Sequence, residues 1–107
     1  MVHTPLRRRL LLMDHKEHTV YILRCKDQTL YTGYTNDLQK RLELHKSGKG
    51  AKYTRGRGPF QVMYIETFQT KEEALKKEYE IKQLPRKEKF QLIQDKLKEV
   101  INYANTK

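Results

Sequence analysis

Two charged residues lie on the apolar faces of helical segments, where charged side chains are uncommon. Glu78 shares a face with Ala74 and Ile81, at spacings i, i+4 and i+7. A carboxylate on a buried side requires a cation, which can be an arginine or a metal ion. Arg41 lies on a second apolar stripe, together with His45. The spacing is therefore consistent with a structural Glu78–Arg41 ion pair, with an arginine at the edge of its stripe, or with a site that binds metal and anion.

Two tyrosines and a glycine occupy a predicted pair of strands. Tyr21 and Tyr31 are of the type that usually packs within a sheet, and that interpretation stays open for each. Gly33 within a strand costs stability, so we expect it to permit a bulge or the close approach of another group.

The segment 47–59 is rich in glycine and in cations and contains no acid. Glycines let a backbone approach phosphates closely, and an aromatic ring can stack on an unpaired base. A solvated flexible loop is the alternative, but the position directly after the Arg41 helix favours contact with a substrate. The candidate contacts are Lys49, Lys52, Tyr53, Arg55 and Arg57.

The composition is that of a small basic domain. The 107 residues include 23 Lys and Arg against 13 Asp and Glu, a formal charge of +10. Such a surplus favours a polyanionic partner, although a basic protein of the ribosomal or chaperone kind would share it. Cys25 is the only cysteine, so an intrachain disulfide and a multi-cysteine metal site are excluded. No apolar run approaches the roughly 20 residues of a membrane span.

The first 16 residues show no periodicity, and we interpret them as a flexible basic arm. The apolar run 10–13 follows three arginines but is shorter than the roughly 7–15 residues of an export signal. We therefore expect a cytoplasmic protein. The sequence does not decide between Met1 and Met13 as the start.

The elements that must position these residues follow the order ββαβαα. We predict strands at 18–25, 29–34 and 60–68, and helices at about 36–46, 70–84 and from 85 onward. Thr35 or Asn36 can cap the first helix, and Thr70 with Glu73 forms a capping box for the second. Pro85 at a first helical position opens the third.

The last helix is amphipathic and is expected to cover the sheet, because a three-stranded sheet cannot bury its face alone. We therefore predict an α/β fold of the α+β type, with a small, mainly antiparallel three-stranded sheet flanked by helices. Residues 17–104 would form one domain. The apolar stripe consists of Phe90, Ile93, Leu97, Val100, Ile101 and Ala104.

Two tripeptides on the hairpin form a known pattern. The residues 19–21 (TVY) and 31–33 (YTG) resemble the paired half-motifs of the GIY-YIG nuclease superfamily, with a threonine at the first position. Arg41 and Glu78 lie on the helices where that family has its arginine and its metal-binding glutamate, and His45 matches a histidine common among members. Each tripeptide alone is a weak signal, but the combination is specific. The resemblance runs from about residue 18 to 93 and is to the short stand-alone bacterial members.

The resemblance implies a metal-dependent endonuclease. Glu78 would hold one Mg²⁺ or Mn²⁺ ion, and Arg41 would grip the phosphate. Tyr21 would activate water with the help of Tyr31, while His45 would position phosphate or shuttle a proton. A free tyrosine has a pKa near 10, so Tyr21 requires nearby positive charge to act as the base.

Some relatives have a lysine directly after the second half-motif. Tyr34 occupies that place here, so a lysine base is absent, and we count Tyr34 and Gly33 among the candidate nucleic-acid contacts. Phosphate contacts alone do not read sequence, so we expect single-strand or structure selectivity. DNA is expected as the partner rather than RNA, bound by a monomer that can join a larger repair complex. The alternatives are a catalytically weak nucleic-acid-binding module and a protein-interaction module of a repair or ribosome-associated complex.

Overall fold

A three-stranded antiparallel sheet forms the centre of the described part of the chain, residues 17–105 of the computed structural model. The strands are β1 (His18–Arg24), β2 (Leu30–Thr35) and β3 (Gln61–Phe68), arranged in the order β2-β1-β3. The helices are α1 (Leu38–Lys46), α2 (Lys71–Gln83) and α3 (Arg86–Asn105). The predicted α+β class and the order ββαβαα are confirmed. The predicted arm, residues 1–16, lies outside the described residues.

The central strand β1 is buried on both faces, as its apolar sequence predicts. Residues 19–23 are all buried, and their side chains alternate between the two faces of the sheet. On one face Val20 and Ile22 pack into the hydrophobic core with residues of β3, α2 and α3, which are Tyr64, Ala74, Ile81 and Ile93. On the other face Tyr21 contacts His45 of α1. Helices therefore cover both faces of the sheet.

Side-chain caps determine where the helices begin. Thr70 and Glu73 form the predicted capping box at the start of α2. The first helix begins later than predicted because β2 extends through Thr35. Asp37 is its cap, and the carboxylate accepts a hydrogen bond from the Lys40 backbone N–H at 3.2 Å. Pro85 lies just before α3 instead of within it, where its carbonyl accepts a hydrogen bond from a backbone N–H of the first turn.

The last helix covers the sheet with only part of its apolar stripe. Ile93 is buried in the core and Phe90 packs against it, whereas Leu97 is more than half exposed. We also predicted that Val100, Ile101 and Ala104 pack against the sheet, and these side chains lie outside the described part of the structure. Among the described helices, none combines the length and the apolarity that crossing a membrane requires.

Candidate active site

Three of the five predicted catalytic residues form one aromatic cluster. Tyr21 of β1, Tyr31 of β2 and His45 in the last turn of α1 lie with their ring centroids 5.4–6.3 Å apart. The two tyrosines share a face because Tyr21 is paired with Gly33, and Tyr31 precedes Gly33 by two residues.

Gly33 makes room for the ring of Tyr21. A Cβ atom at Gly33 would lie 2.6 Å from the Tyr21 Oη and 2.9 Å from the Tyr31 Cε2, distances that no side chain tolerates. We expected Gly33 to permit the close approach of another group, and that group is the phenol of Tyr21. Gly33 is itself buried, so the structure does not bring it to a surface where nucleic acid can bind.

A continuous chain of hydrogen bonds runs from Tyr21 into the loop between α1 and β3. The Tyr21 Oη lies 2.9 Å from the His45 Nε2, and the His45 Nδ1 lies 2.9 Å from the Thr54 Oγ1. The Thr54 hydroxyl donates its single proton to the Ala51 carbonyl at 2.9 Å, so it can only accept from His45. His45 Nδ1 therefore carries a proton. In the neutral ring, Nε2 is then left to accept the phenol proton of Tyr21.

Two residues that hold His45 in place were not predicted from the sequence. Thr54 is only 1% exposed, and a Cβ atom at Gly50 would lie 2.5 Å from the His45 Nδ1. A third contact is the ring of Phe60, whose centroid lies 5.8 Å from that of His45. A hydroxyl nine residues after a histidine, across a loop, has no periodic relation to it. For this reason, no spacing rule identifies Thr54 as the hydrogen-bond partner of His45.

Burial and nearby charges set the protonation states of this pair. Burial raises the pKa of Tyr21 well above its usual value; Tyr31 and Glu78 add to this, while the positive charge of Arg41 opposes it. Arg41 thus supplies the positive charge that Tyr21 requires to act as a base, but burial has the larger effect on the pKa of Tyr21. Burial also lowers the pKa of His45, and Arg41 lowers it further. At neutral pH the phenol is protonated and the imidazole is neutral, as the hydrogen-bond chain requires.

The lowered pKa of His45 predicts that the fold weakens in acid. The unfolded chain binds a proton at this residue near pH 6.5, more readily than the folded one. The contribution of His45 is complete above that pH and is lost as the pH falls toward the folded-state pKa. We expect the urea midpoint of the wild type to fall between about pH 7 and pH 5 more than that of His45→Gln.

His18→Gln is the matched control, because its ring is bonded to the Tyr34 hydroxyl at 2.8 Å, away from the cluster. It should retain the acid sensitivity of the wild type. An equal decline in His45→Gln and wild type would show that His45 does not supply this sensitivity.

Arg41 has no carboxylate partner among residues 17–105. The structural Glu78–Arg41 ion pair does not form, because Glu78 Oε2 pairs with Lys82 Nζ at 2.9 Å. The half-buried guanidinium is near enough to lower the pKa values of both Tyr21 and His45. A partly buried cation without a counterion, beside two proton-carrying groups, is suited to bind an oxyanion.

Glu78 is the predicted metal ligand, and its side chain is 17% exposed. Within the described residues, no group of three or more His, Cys, Asp or Glu side chains is arranged to hold a metal ion. Mg²⁺ nevertheless keeps several waters and is often held by one carboxylate plus phosphate oxygens of a substrate. Glu78 therefore fits a metal ion in combination with a bound phosphate, because Lys82 pairs with Oε2 and leaves the second carboxylate oxygen for the ion.

The basic loop 47–59 is anchored at two points. Arg57 forms an ion pair with Asp27 of the β1–β2 turn, and its guanidinium carbon lies 4.7 Å from the centroid of the Tyr53 ring. The Tyr53 ring stacks on Tyr31 at 5.9 Å. Arg57 is therefore less available to a substrate than its sequence suggests, because it is paired with an acid outside the loop. Tyr53 remains exposed. The exposed cations of the loop are Lys49, Lys52 and Arg55.

Tyr34 lies on the opposite face of the sheet from the aromatic cluster. It follows Gly33 directly, and neighbouring residues of a strand point to opposite sides. Its side chain packs against the hydrophobic core. The structure therefore does not bring Tyr34 to the site, where it was a candidate nucleic-acid contact.

The sequence is similar to those of known proteins. Residues 17–91 match the GIY-YIG catalytic domain. The UPF0213 protein OB0043 of Oceanobacillus iheyensis is 65% identical over 79 residues, which are 74% of this chain and 92% of the relative. The UPF0213 protein CPE1444 of Clostridium perfringens is 56% identical over 84 residues, 78% of this chain and 90% of the relative.

Two solution NMR structures are also similar. The UPF0213 protein BH0048 from Bacillus halodurans is 56% identical with a TM-score of 0.51, covering 73% of this chain and 83% of that one. The protein EF2693 from E. faecalis is 43% identical with a TM-score of 0.55, covering 75% of this chain and 85% of that one.

Proposed function

Because this chain belongs to the GIY-YIG family, we propose that it is an endonuclease that hydrolyses DNA phosphodiester bonds with one Mg²⁺ or Mn²⁺ ion. The family is one of nuclease domains, and the substrate, the metal dependence and the low sequence specificity are our inferences. The observation that supports phosphodiester hydrolysis most directly is the hydrogen-bond chain Tyr21–His45–Thr54, next to an arginine without a carboxylate partner.

The hydrogen-bond chain can take a proton from water without forming a free phenolate. As a water oxygen attacks phosphorus, one water proton moves to the Tyr21 Oη and the phenol proton moves to the His45 Nε2. The bond from phosphorus to the leaving oxygen breaks, and the leaving oxygen takes a proton from solvent water. His45 becomes an imidazolium whose Nδ1–H remains bonded to Thr54. The raised pKa of Tyr21 is compatible with this relay because the phenol gains one proton as it loses another.

Arg41 would affect this reaction in two ways. Its guanidinium would bind the phosphate and stabilise the charge that develops in the transition state. The negative phosphate would also offset the positive charge that lowers the pKa of His45, so a bound substrate makes the imidazole a better proton acceptor. Glu78 would hold the metal ion, which supplies charge neutralisation at the phosphate when it is bound.

The charge around the site supports a nucleic-acid substrate. Lys49, Lys52 and Arg55 are exposed on the loop, and such cations contact phosphates without reading bases. We therefore propose a monomer that acts in the cytoplasm on single-stranded or branched DNA, with little sequence preference, and that can join a larger repair complex.

The direct test is incubation of labelled single-stranded, duplex and forked DNA with the protein and Mg²⁺ or Mn²⁺. We expect endonucleolytic products that depend on the metal, and most product from the single-stranded or forked substrates. Identical reactions with a chelator serve as the control, and an RNA strand of the same sequence tests the choice of DNA. A folded protein that binds these DNAs but leaves all of them intact with either metal would contradict the proposal.

A nucleic-acid-binding module without turnover is the second candidate. It is favoured by the burial of Tyr21, which is only 1% exposed, because water must reach its hydroxyl before any attack can begin. Binding without cutting, with Mn²⁺ present and the protein folded, would identify this second function.

A further inference from the structure

A groove beside the candidate active site is lined by cations and aromatic rings. It has a volume of about 320 Å³ and brings together β2, the basic loop and the helices α2 and α3. Its lining contains no acidic residue. The lining residues are Leu30, Tyr31, Thr32, Tyr53, Lys82 and Lys89.

The two lysines of the groove have hydrogen-bond donors to spare. Lys82 uses one bond to Glu78 at 2.9 Å, and an ammonium group carries three donors. Within residues 17–105, neither of the two ion pairs involves Lys89. The neighbouring Arg86 is already engaged, since its Nη2 donates to the Gln28 carbonyl at 2.8 Å. Lys82 and Lys89 are therefore the cations that the groove offers to an anion.

The groove is continuous with the catalytic cluster. Tyr31 lines the groove and also packs against His45, with 5.4 Å between the ring centroids. Tyr53 joins the groove to the basic loop by stacking on Tyr31. Tyr31 is therefore the residue at which the catalytic cluster and the groove meet.

We infer that this groove binds the sugar–phosphate backbone of the substrate strand on one side of the scissile phosphate, with Lys82 and Lys89 as phosphate contacts. The inference rests on the proposed function for the class of substrate. It adds a second binding region, whose two phosphate contacts lie outside the catalytic set, and this region fixes the direction in which the strand leaves the site.

The test is the salt dependence of binding by Lys89→Gln, compared with Lys87→Gln. Both variants remove one positive charge from the start of α3, but Lys87 is exposed and does not line the groove. Affinity for a fluorescent single-stranded oligonucleotide is measured by anisotropy over a series of salt concentrations, without divalent metal. A lost phosphate contact should flatten the log–log slope by about 0.7 in Lys89→Gln, and by about 1.4 when Lys82→Gln is added. Lys87→Gln should retain the wild-type slope.

The failure of this inference can be told apart from the failure of the proposed function. Equal slopes for Lys89→Gln and Lys87→Gln, with unchanged thermal unfolding, would remove the groove from the interface even if the protein cuts DNA. A flattened slope in Lys89→Gln alone would support the groove even if no cleavage is found, because binding is measured without catalysis.

Discussion

Replacing Tyr21 with phenylalanine is expected to slow DNA cleavage by about 10²–10⁴-fold while leaving the affinity for DNA nearly unchanged. The change removes one oxygen and leaves the ring in place beside Gly33, so the packing of the sheet should survive. It interrupts the path from water to the His45 Nε2, which lies 2.9 Å from the lost oxygen. Single-turnover rates at saturating metal, together with binding measured in a chelator, separate the loss of rate from any loss of affinity.

The pH dependence of the rate identifies the group that titrates. If His45 takes the final proton, its neutral form is the working one, so kcat/KM should rise with pH through the lowered pKa of His45 in the free protein and level off near neutrality. If a free phenolate were the base, the rate would continue to rise in alkali, because burial raises the pKa of Tyr21. A metal-bound hydroxide is the third possibility. A Tyr21→Phe profile parallel to that of the wild type would exclude Tyr21 as the titrating base, even if the variant were slower.

His45→Gln provides the matched test of the relay. Glutamine can hydrogen-bond to the phenol but cannot accept its proton at neutral pH. If Tyr21 and His45 act as one unit, each single variant should lose about the same rate, and the double variant should be no slower than either. Losses that multiply in the double variant would show that the two residues act separately.

Glu78→Gln is expected to reduce cleavage by at least about 10²-fold, the scale of a lost charge-stabilising group, while the fold survives. The structural alternative makes a different prediction. The pair with Lys82 is an i,i+4 ion pair on one helix, worth only about 0.3–0.5 kcal/mol. If that pair were the whole function of Glu78, the variant would be slightly less stable and fully active.

The control for Glu78→Gln is Glu80→Gln, which removes the same charge from an exposed position of α2. It should cut DNA at the wild-type rate. A second measurement does not require activity: Mn²⁺ should bind the wild type more tightly when a non-cleavable oligonucleotide is present, and Glu78→Gln should lose this effect. Metal-dependent cutting at the full rate by folded Glu78→Gln would end the assignment of Glu78 as a metal ligand.

The fold was predictable because its signals are local. β1 is apolar on both faces, which marks a central strand, and the capping box at Thr70 and Glu73 marks a helix start without any tertiary information. The start of α1 was placed too early because three adjacent residues can cap a helix. Only the pairing of Thr35 with Thr19, which keeps Thr35 in β2, selects Asp37 among them.

The site was predictable as a set of residues but not as a hydrogen-bond network. Strand alternation places Tyr31 and Gly33 on one side of β2, and the resemblance to the nuclease family supplied Arg41, His45 and Glu78. The partner of His45 comes from a loop whose path no periodicity describes, so Thr54 was not found. The engagement of Arg57 by Asp27 depends on the β1–β2 turn meeting the loop, which is likewise a property of the folded chain.

The hydrogen-bond chain has a consequence for how the molecule loses activity. Its members come from a strand, the end of a helix and a loop, at positions 21, 45 and 54. Such elements open at different free energies, and loops and helix ends open before central strands. The first of these elements to open interrupts the hydrogen-bond chain while the hydrophobic core is still intact. On heating, cleavage should therefore cease before the sheet melts, and hydrogen exchange at the amide of residue 54 should report the working fraction of molecules more faithfully than exchange within β1.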